Sequence, residues 1–258
     1  MTNAARPKAW LAWSSGKDAA WALHVVGGRS PSRGSRRGDT PPTMTEEIEV
    51  IGLLTTITAP YDRVSMHGVR RELVEAQARA AGLPLHKVLI PAPCPNEVYE
   101  AAMAEAMATA QSLGVSRMVF GDLFLEDVRR YREEKLAPTG IQPVFPLWGA
   151  DTRALAREMI AAGLRAHVTC LDPRKLPREL AGRPFDQAFL DALPDGVDPC
   201  AERGEFHTFA SAGPMFAQPI PVRVGETVER EGFVFTDLLH EAARQTRARG
   251  RRGPPGRR

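Results

Sequence analysis

The chain has 258 residues, 43% of them hydrophobic and 25% charged, with a formal net charge of +3. That balance belongs to a globular chain of one large domain, or of one and a half ordinary ones. Its three cysteines, Cys94, Cys170 and Cys200, are far apart and form no CxxC pair. A zinc knot or dithiol redox centre is therefore not expected, and the odd, sparse count fits a reducing compartment.

The positive charge is uneven. Gly27 to Arg37 carries four arginines and no acid, and Glu241 to the end carries seven arginines and one acid. The pI near 8.9 therefore describes these two stretches rather than the folded surface. Met1–Trp10 lacks the apolar core of a secretory leader. No run approaches the roughly 18 apolar residues needed to cross a bilayer. A cytoplasmic protein without a membrane partner is expected.

In chain order, Trp10–Trp13 reads as a strand and Asp18–Val26 as a helix. The Gly/Ser/Arg/Pro-rich stretch at 27–47 reads as a flexible insert. Glu49–Thr56 is a near-continuous apolar run, as in a strand covered on both faces. Val69–Ala81 has helical periodicity through Leu73, Ala76, Gln77 and Ala80, and Gly82-Leu-Pro84 ends it. Leu85–Ile90 reads as a strand. Asn96 is expected to cap a helix running to Leu113. Arg117–Phe120 is a further strand, Leu125–Leu136 a helix, and Ile141–Phe145 a short extended piece. Asp151 is expected to cap a helix through Ala162, and Arg165–Leu171 reads as another strand.

Strands alternating with helices of this length predict βαβ units and a parallel sheet with helices on both faces. Beyond Leu171 the pattern changes. One or two helices fall within Glu179–Leu193. Pro219–Val224 and Glu229–Phe235 read as an antiparallel pair about Gly225. The expected organisation is an α/β nucleotide-binding domain over residues 8–171, a smaller α+β lobe over 172–240, and a disordered arginine-rich tail over 241–258.

The chemistry concentrates in two stretches. Trp10-Leu-Ala-Trp-Ser-Ser-Gly-Lys-Asp18 places a tight turn between an apolar strand and a helix start. Such a junction aims backbone N–H groups and the positive end of a helix dipole at one point, which suits a phosphate. Lys17 adds a positive charge, and Asp18 can hold a metal ion or orient the loop. The run is neither a Walker A loop nor a dinucleotide fingerprint, and a plain strand–helix turn capped by serine fits it too.

The second stretch is Asp198-Pro-Cys-Ala-Glu-Arg-Gly-Glu-Phe-His-Thr208. Glu205 and His207 fall on one side of an extended segment, where they can form an acid/base pair or orient an amine. Glu202 and Thr208 lie within reach. A surface turn fits these residues as well, and a metal site there lacks a third ligand. Gly121-Asp122 ends a strand, where Asp122 can meet a nucleotide or cap a helix. His67 precedes a helix and either lines a cleft or caps. Arg129, Arg130 and Arg132 read as a solvated helix face.

Together these residues resemble the diphthine–ammonia ligase family of the PP-loop, or adenine nucleotide alpha-hydrolase-like, superfamily. The resemblance rests on Ser14-Ser-Gly-Lys-Asp18, Met66-His-Gly68, Phe120-Gly-Asp122, Pro146-Leu-Trp-Gly149, and Cys200-Ala-Glu-Arg-Gly-Glu-Phe-His-Thr208 with Gly213-Pro214. It spans roughly residues 8 to 224. It implies a PP-loop fold in which Ser14, Ser15, Gly16, Lys17, Asp18, Gly121 and Asp122 bind ATP with Mg²⁺, Asp18 holding the metal. It implies adenylation of a carboxylate, release of pyrophosphate, and displacement of AMP by ammonia.

Lys17, Asp18, Glu205 and His207 would be catalytic, and Glu202, Thr208 and His67 would meet the substrate. The acceptor would be a small-molecule or protein carboxylate. Nucleic acid is not expected as a partner. A nucleotide-binding protein without turnover, or a PP-loop RNA-modifying enzyme, are the alternatives. The family loop usually reads Ser-Gly-Gly-Lys-Asp-Ser. Here Ser15 replaces the first glycine, Ala19 the last serine, and Ala201 a glycine of the second stretch. The missing hydroxyl at residue 19 removes one phosphate contact, worth about 1 kcal/mol.

Overall fold

Among the described residues, nineteen elements build two sheets, joined through one of two hydrophobic clusters. The computed structural model describes residues 6–27 and 47–241. Residues 28–46 and 242–258, where the insert and tail expectations fall, lie outside the described residues.

The first sheet contains β1 (Lys8–Ala12), β2 (Glu49–Thr58), β4 (Leu85–Ile90), β5 (Val115–Val119) and β6 (Gln142–Val144). All pair in parallel, in the order β4-β2-β1-β5-β6. The two-residue β3 (Arg63–Val64) lies antiparallel against the last residues of β2. From β1 the chain builds outward through β2 and β4 on one side, then crosses over to build β5 and β6 on the other. The topological switch point is therefore between β1 and β5, and a ligand crevice opens outside the carboxyl ends of those strands.

Strand alternation sorts the core. Ala9, Leu11 and Trp13 face one cluster, and Trp10 faces the other. The first cluster includes α1 (Lys17–Val26), α2 (Arg71–Ala81) and α5 (Thr152–Ala161) and continues into the second sheet. The second cluster receives α3 (Asn96–Ser112) and Leu136, the last residue of α4 (Glu126–Leu136).

The second sheet is antiparallel, in the order β8-β7-β10-β9. It contains β7 (Arg165–Leu171), β8 (Phe206–Ala212), β9 (Val222–Arg230) and β10 (Phe233–His240). The short α6 (Gln187–Asp191) packs Phe189 into the same core.

Most elements fall where periodicity places them, and Asp151 caps α5 by accepting the Ala154 N–H at 2.7 Å. Three readings change. The strand at 165–171 does not extend the parallel sheet; it pairs antiparallel with β8 and β10. Asn96 is the first residue of α3, after Pro95, and its side chain caps nothing. The hairpin turns at Glu231-Gly232, both with positive φ, rather than at Gly225. Gly225 lies inside β9 beside a register irregularity, where a Cβ would stand 3.2 Å from the Asp237 carbonyl oxygen.

A candidate active site between two sheets

A cavity of about 700 Å³ opens at the switch point. Ser14, Gly16, Lys17 and Asp18 line it from the β1–α1 junction, and Gly121 and Asp122 from the end of β5. Glu202, His207 and Thr208 reach it from the second sheet, and His67 from the loop before α2. Ten of the twelve residues singled out in the sequence thus share one space. Ser15 and Glu205 do not line it.

Backbone geometry makes the junction. Gly16 precedes α1 without a side-chain cap of its own, but its N–H donates to Ser14 Oγ at 3.3 Å and the Lys17 N–H to the Thr208 hydroxyl, so the helix start is only partly open. Its missing Cβ leaves room for its neighbours, since a Cβ would stand 3.3 Å from the His67 ring and 3.4 Å from the Thr208 carbonyl oxygen. Gly121 is tighter: a Cβ there would lie 2.9 Å from the Asp18 carbonyl carbon and the Ala19 nitrogen. Only glycine lets the end of β5 approach the first turn of α1 so closely.

The two sheets meet through hydrogen bonds. The Lys17 N–H donates to the Thr208 hydroxyl at 3.1 Å, across 191 residues of sequence. The Ala210 N–H donates to the Ser15 carbonyl at 3.0 Å. The Lys17 ammonium is only 2% exposed. It donates to Asp18 Oδ2 at 2.9 Å and to the Cys200 carbonyl at 2.5 Å, and it stands over the Phe185 and Phe206 rings. Burial pushes its pKa down, but Asp18 above all outweighs this and the net shift is upward. Lys17 is therefore a charged pin between the loop and the Cys200–Gly204 turn.

Asp18 is half-buried, and its second oxygen, Oδ1, is buried without a partner. Burial raises its pKa, with Lys17 opposing. Glu202 accepts the Leu123 N–H at 2.7 Å and the Phe124 N–H at 3.3 Å, which ties the turn to the end of β5. Burial raises its pKa too. Among the described residues, no group of three or more His, Cys, Asp or Glu is arranged to hold a metal ion.

His67 and His207 pack ring on ring, with centroids 4.4 Å apart. Burial, then Lys17, pushes His207 down to about 4. Burial, then His207, holds His67 well below the usual histidine range. Both imidazoles are thus neutral at pH 7. The loop bearing His67 is anchored to β10. Asp237 accepts from Arg70 Nη2 at 2.6 Å and from Arg63 Nη1 at 2.8 Å, and Arg63 also donates to the Gly68 carbonyl.

Two side-chain readings change. Asp122 is neither a helix cap nor a free acid, because both its oxygens accept from Arg132, at 2.5 and 3.0 Å. Arg132 in turn lies over the Phe120 ring and so leaves the solvated helix face expected for it. Glu205 and His207 do not share a side, because Glu205 belongs to the turn before β8. Its carboxylate, 3% exposed, accepts the Asp198 N–H at 3.4 Å. Sequence reading missed Tyr99, Met103 and Met107 of α3, which form the cavity's apolar wall. Nothing in their spacing sets them apart from core-facing helix positions.

A parallel sheet with its glycine-containing junction at the switch point, joined to an antiparallel sheet, is an α/β fold of the PP-loop kind. The model of the diphthamide synthase C-terminal domain matches residues 151–240. A zebrafish (Danio rerio) protein named diphthine–ammonia ligase is 30% identical over 189 residues, 66% of this chain and 72% of the relative. The bovine (Bos taurus) and human (Homo sapiens) proteins of that name are each 30% identical over 122 residues, 45% of this chain and 46% of each relative. The chain belongs to the diphthine–ammonia ligase family. It spans less than half the length of the bovine and human relatives.

Proposed function

We propose that the chain is an ATP-dependent ligase that adenylates a carboxylate, releases pyrophosphate and forms an amide with ammonia. The observation that carries this reading is the convergence of the α1 start, the paired imidazoles and the Glu202 turn on one cavity. The relatives' name couples an acid, diphthine, to ammonia, and the same reaction class suits this site. We further propose a nucleotide-binding unit over residues 8–171 and a ligase lobe over 172–240, although the last strand of the first span, β7, pairs in the lobe's sheet.

Each residue then has a physical task. The start of α1 faces the ATP phosphates with the positive end of its dipole, the Lys17 N–H being already taken by the Thr208 hydroxyl. The unpartnered Asp18 Oδ1 fits a Mg²⁺ ion, which commonly takes one or two carboxylates and completes its shell with phosphates and water. Bound there, Mg²⁺ would neutralise phosphate charge. A carboxylate is a poor acyl donor, and attack on the α-phosphate converts its oxygen into a good leaving group.

His207 and His67, neutral and beside the loop, offer lone pairs that orient the nitrogen nucleophile and relay its proton to solvent as the amide forms, since burial keeps them from holding it. Glu205, outside the cavity, shapes the turn that presents Glu202. Lys17 holds the loop and turn together.

The test supplies α- and γ-labelled ATP with Mg²⁺, ammonium and a small-molecule extract as acceptor source, and compares the wild type with Asp18→Asn. AMP and pyrophosphate from the wild type alone are expected. ADP and phosphate would overturn adenylation. Tight ATP binding without any cleavage would favour the non-turnover reading, for which the missing hydroxyl at Ala19 is the motivating feature.

A further inference from the structure

We propose that Gln77, a residue outside the cavity, is the positioning residue that latches the phosphate-facing loop in its strained conformation. The inference rests on the reading of the Ser14–Asp18 loop as an ATP site. Gln77 lies mid-helix in α2 and is 0% exposed. A buried amide is costly unless its donors and acceptor are satisfied. Here all are. Its Oε1 accepts the Trp13 indole N–H at 2.9 Å, and its Nε2 donates to the Ser15 carbonyl at 2.9 Å and the Ala210 carbonyl at 2.7 Å. One side chain therefore grips the end of β1, the loop and β8 at once.

The gripped residue needs holding. Ser15 has φ of +71°, where a residue with a Cβ is disfavoured, and it stands where the family usually has glycine. Its hydroxyl is buried without a partner, so nothing local favours the conformation. Its carbonyl receives two hydrogen bonds, from Gln77 and from the Ala210 N–H. Those two bonds fix the peptide plane that leads into Gly16 and the first turn of α1. The latch supplies from behind the rigidity that a loop must have before its N–H groups can act as a preformed anion site. The amide also links α2, which follows the His67 loop, to the loop it faces. The phosphate-side wall and the imidazole wall are thereby held in register.

The experiment compares wild type, Gln77→Leu, Gln77→Leu/Ser15→Gly and Met159→Ala, the last a fully buried core residue that does not line the cavity. Hydrogen exchange of the peptide covering residues 10–20, thermal stability, and MgATP affinity by calorimetry are read for each. In Gln77→Leu, exchange of that peptide should accelerate at least tenfold and MgATP affinity should fall at least tenfold. Met159→Ala should lower the melting temperature while leaving both within about twofold.

Adding Ser15→Gly to Gln77→Leu should recover a large part of the affinity without restoring the melting temperature, because glycine adopts the positive φ unaided. Unchanged exchange in a folded Gln77→Leu would overturn the latch. So would equal losses of affinity in Gln77→Leu and Met159→Ala. If the wild type bound no MgATP, the nucleotide reading would fall, and the exchange data would still decide whether Gln77 holds the loop.

Discussion

The loop after β1 and the turn before β8 reach the same cavity by opposite means. The loop offers backbone: Gly16, a helix start without a side-chain cap from its own N-cap residue, and a close approach that Gly121 permits. The turn and the strand after it offer side chains: Glu202, His207 and Thr208. The turn is tied locally by Asp198, which accepts the Glu202 N–H at 2.8 Å, but both stretches also depend on distant partners. The loop is fixed by Gln77 and by β8, and the turn is fixed by Lys17 from the loop. The site is therefore a joint between two sheets, and its rigidity comes in large part from the buried polar side chains of Gln77, Lys17 and Asp198.

Lys17 is where this comparison breaks most sharply. If it were a phosphate ligand alone, Lys17→Met would weaken ATP binding and leave stability unchanged. As a pin between loop and turn, its loss leaves the Cys200 carbonyl and Asp18 Oδ2 without their donor. Removing one partner of a buried pair costs about 3 kcal/mol or more. The expected drop in melting temperature is about 8 °C, at the low end of that cost, for a chain of this size. Thermal melts of Lys17→Met with and without ATP decide between the two roles.

The imidazole pair gives the next largest effect, and it appears on acidification. His207 titrates near 4 in the folded protein, against about 6.5 in the unfolded chain. Between these values the unfolded chain binds the proton and the folded one does not. Stability is thus complete above pH 6.5 and lost as pH falls towards 4, by about 2–3 kcal/mol for His207. His67, also shifted down, adds to the loss in the same direction. Melts from pH 7.5 to 4.5 should show a shallower slope for His207→Gln than for the wild type. Parallel slopes would mean that the pair is not held neutral by the fold.

What the sequence reveals here depends on whether a feature is local. The strand–turn–helix order at Ser14–Asp18 is a short-range pattern, and so is the glycine stop after α2. Both are readable. The apolar run at 165–171 looks the same whether its partners are parallel or antiparallel, so its place in the second sheet is invisible before the fold is known. Alternation puts Glu205 and His207 on one side only if both belong to a strand, and β8 begins between them, at Phe206. Gln77 shows the limit most plainly. Helical periodicity marks it as core-facing, which is correct, but its three partners lie 64, 62 and 133 residues away in the chain.

The smallest effect separates the loop from the turn at their two strained residues. Ser15 and Ala201 both hold positive φ, +71° and +60°, where the family usually has glycine. Replacing either by glycine relieves about 1 kcal/mol of backbone strain and gives back about 0.5–1 kcal/mol through the freer unfolded chain. The remaining terms differ. Ser15→Gly removes a buried Cβ, a loss of about 0.8 kcal/mol, together with a hydroxyl that has no partner, a gain of about 1 kcal/mol or more. Ala201→Gly removes a methyl group buried in the shared core, a loss of about 0.8 kcal/mol. Ser15→Gly should therefore melt about 3 °C above Ala201→Gly, which falls slightly below the wild type. Equal shifts at both positions would show that the unpaired hydroxyl behind the loop does not distinguish the two sides of the cavity.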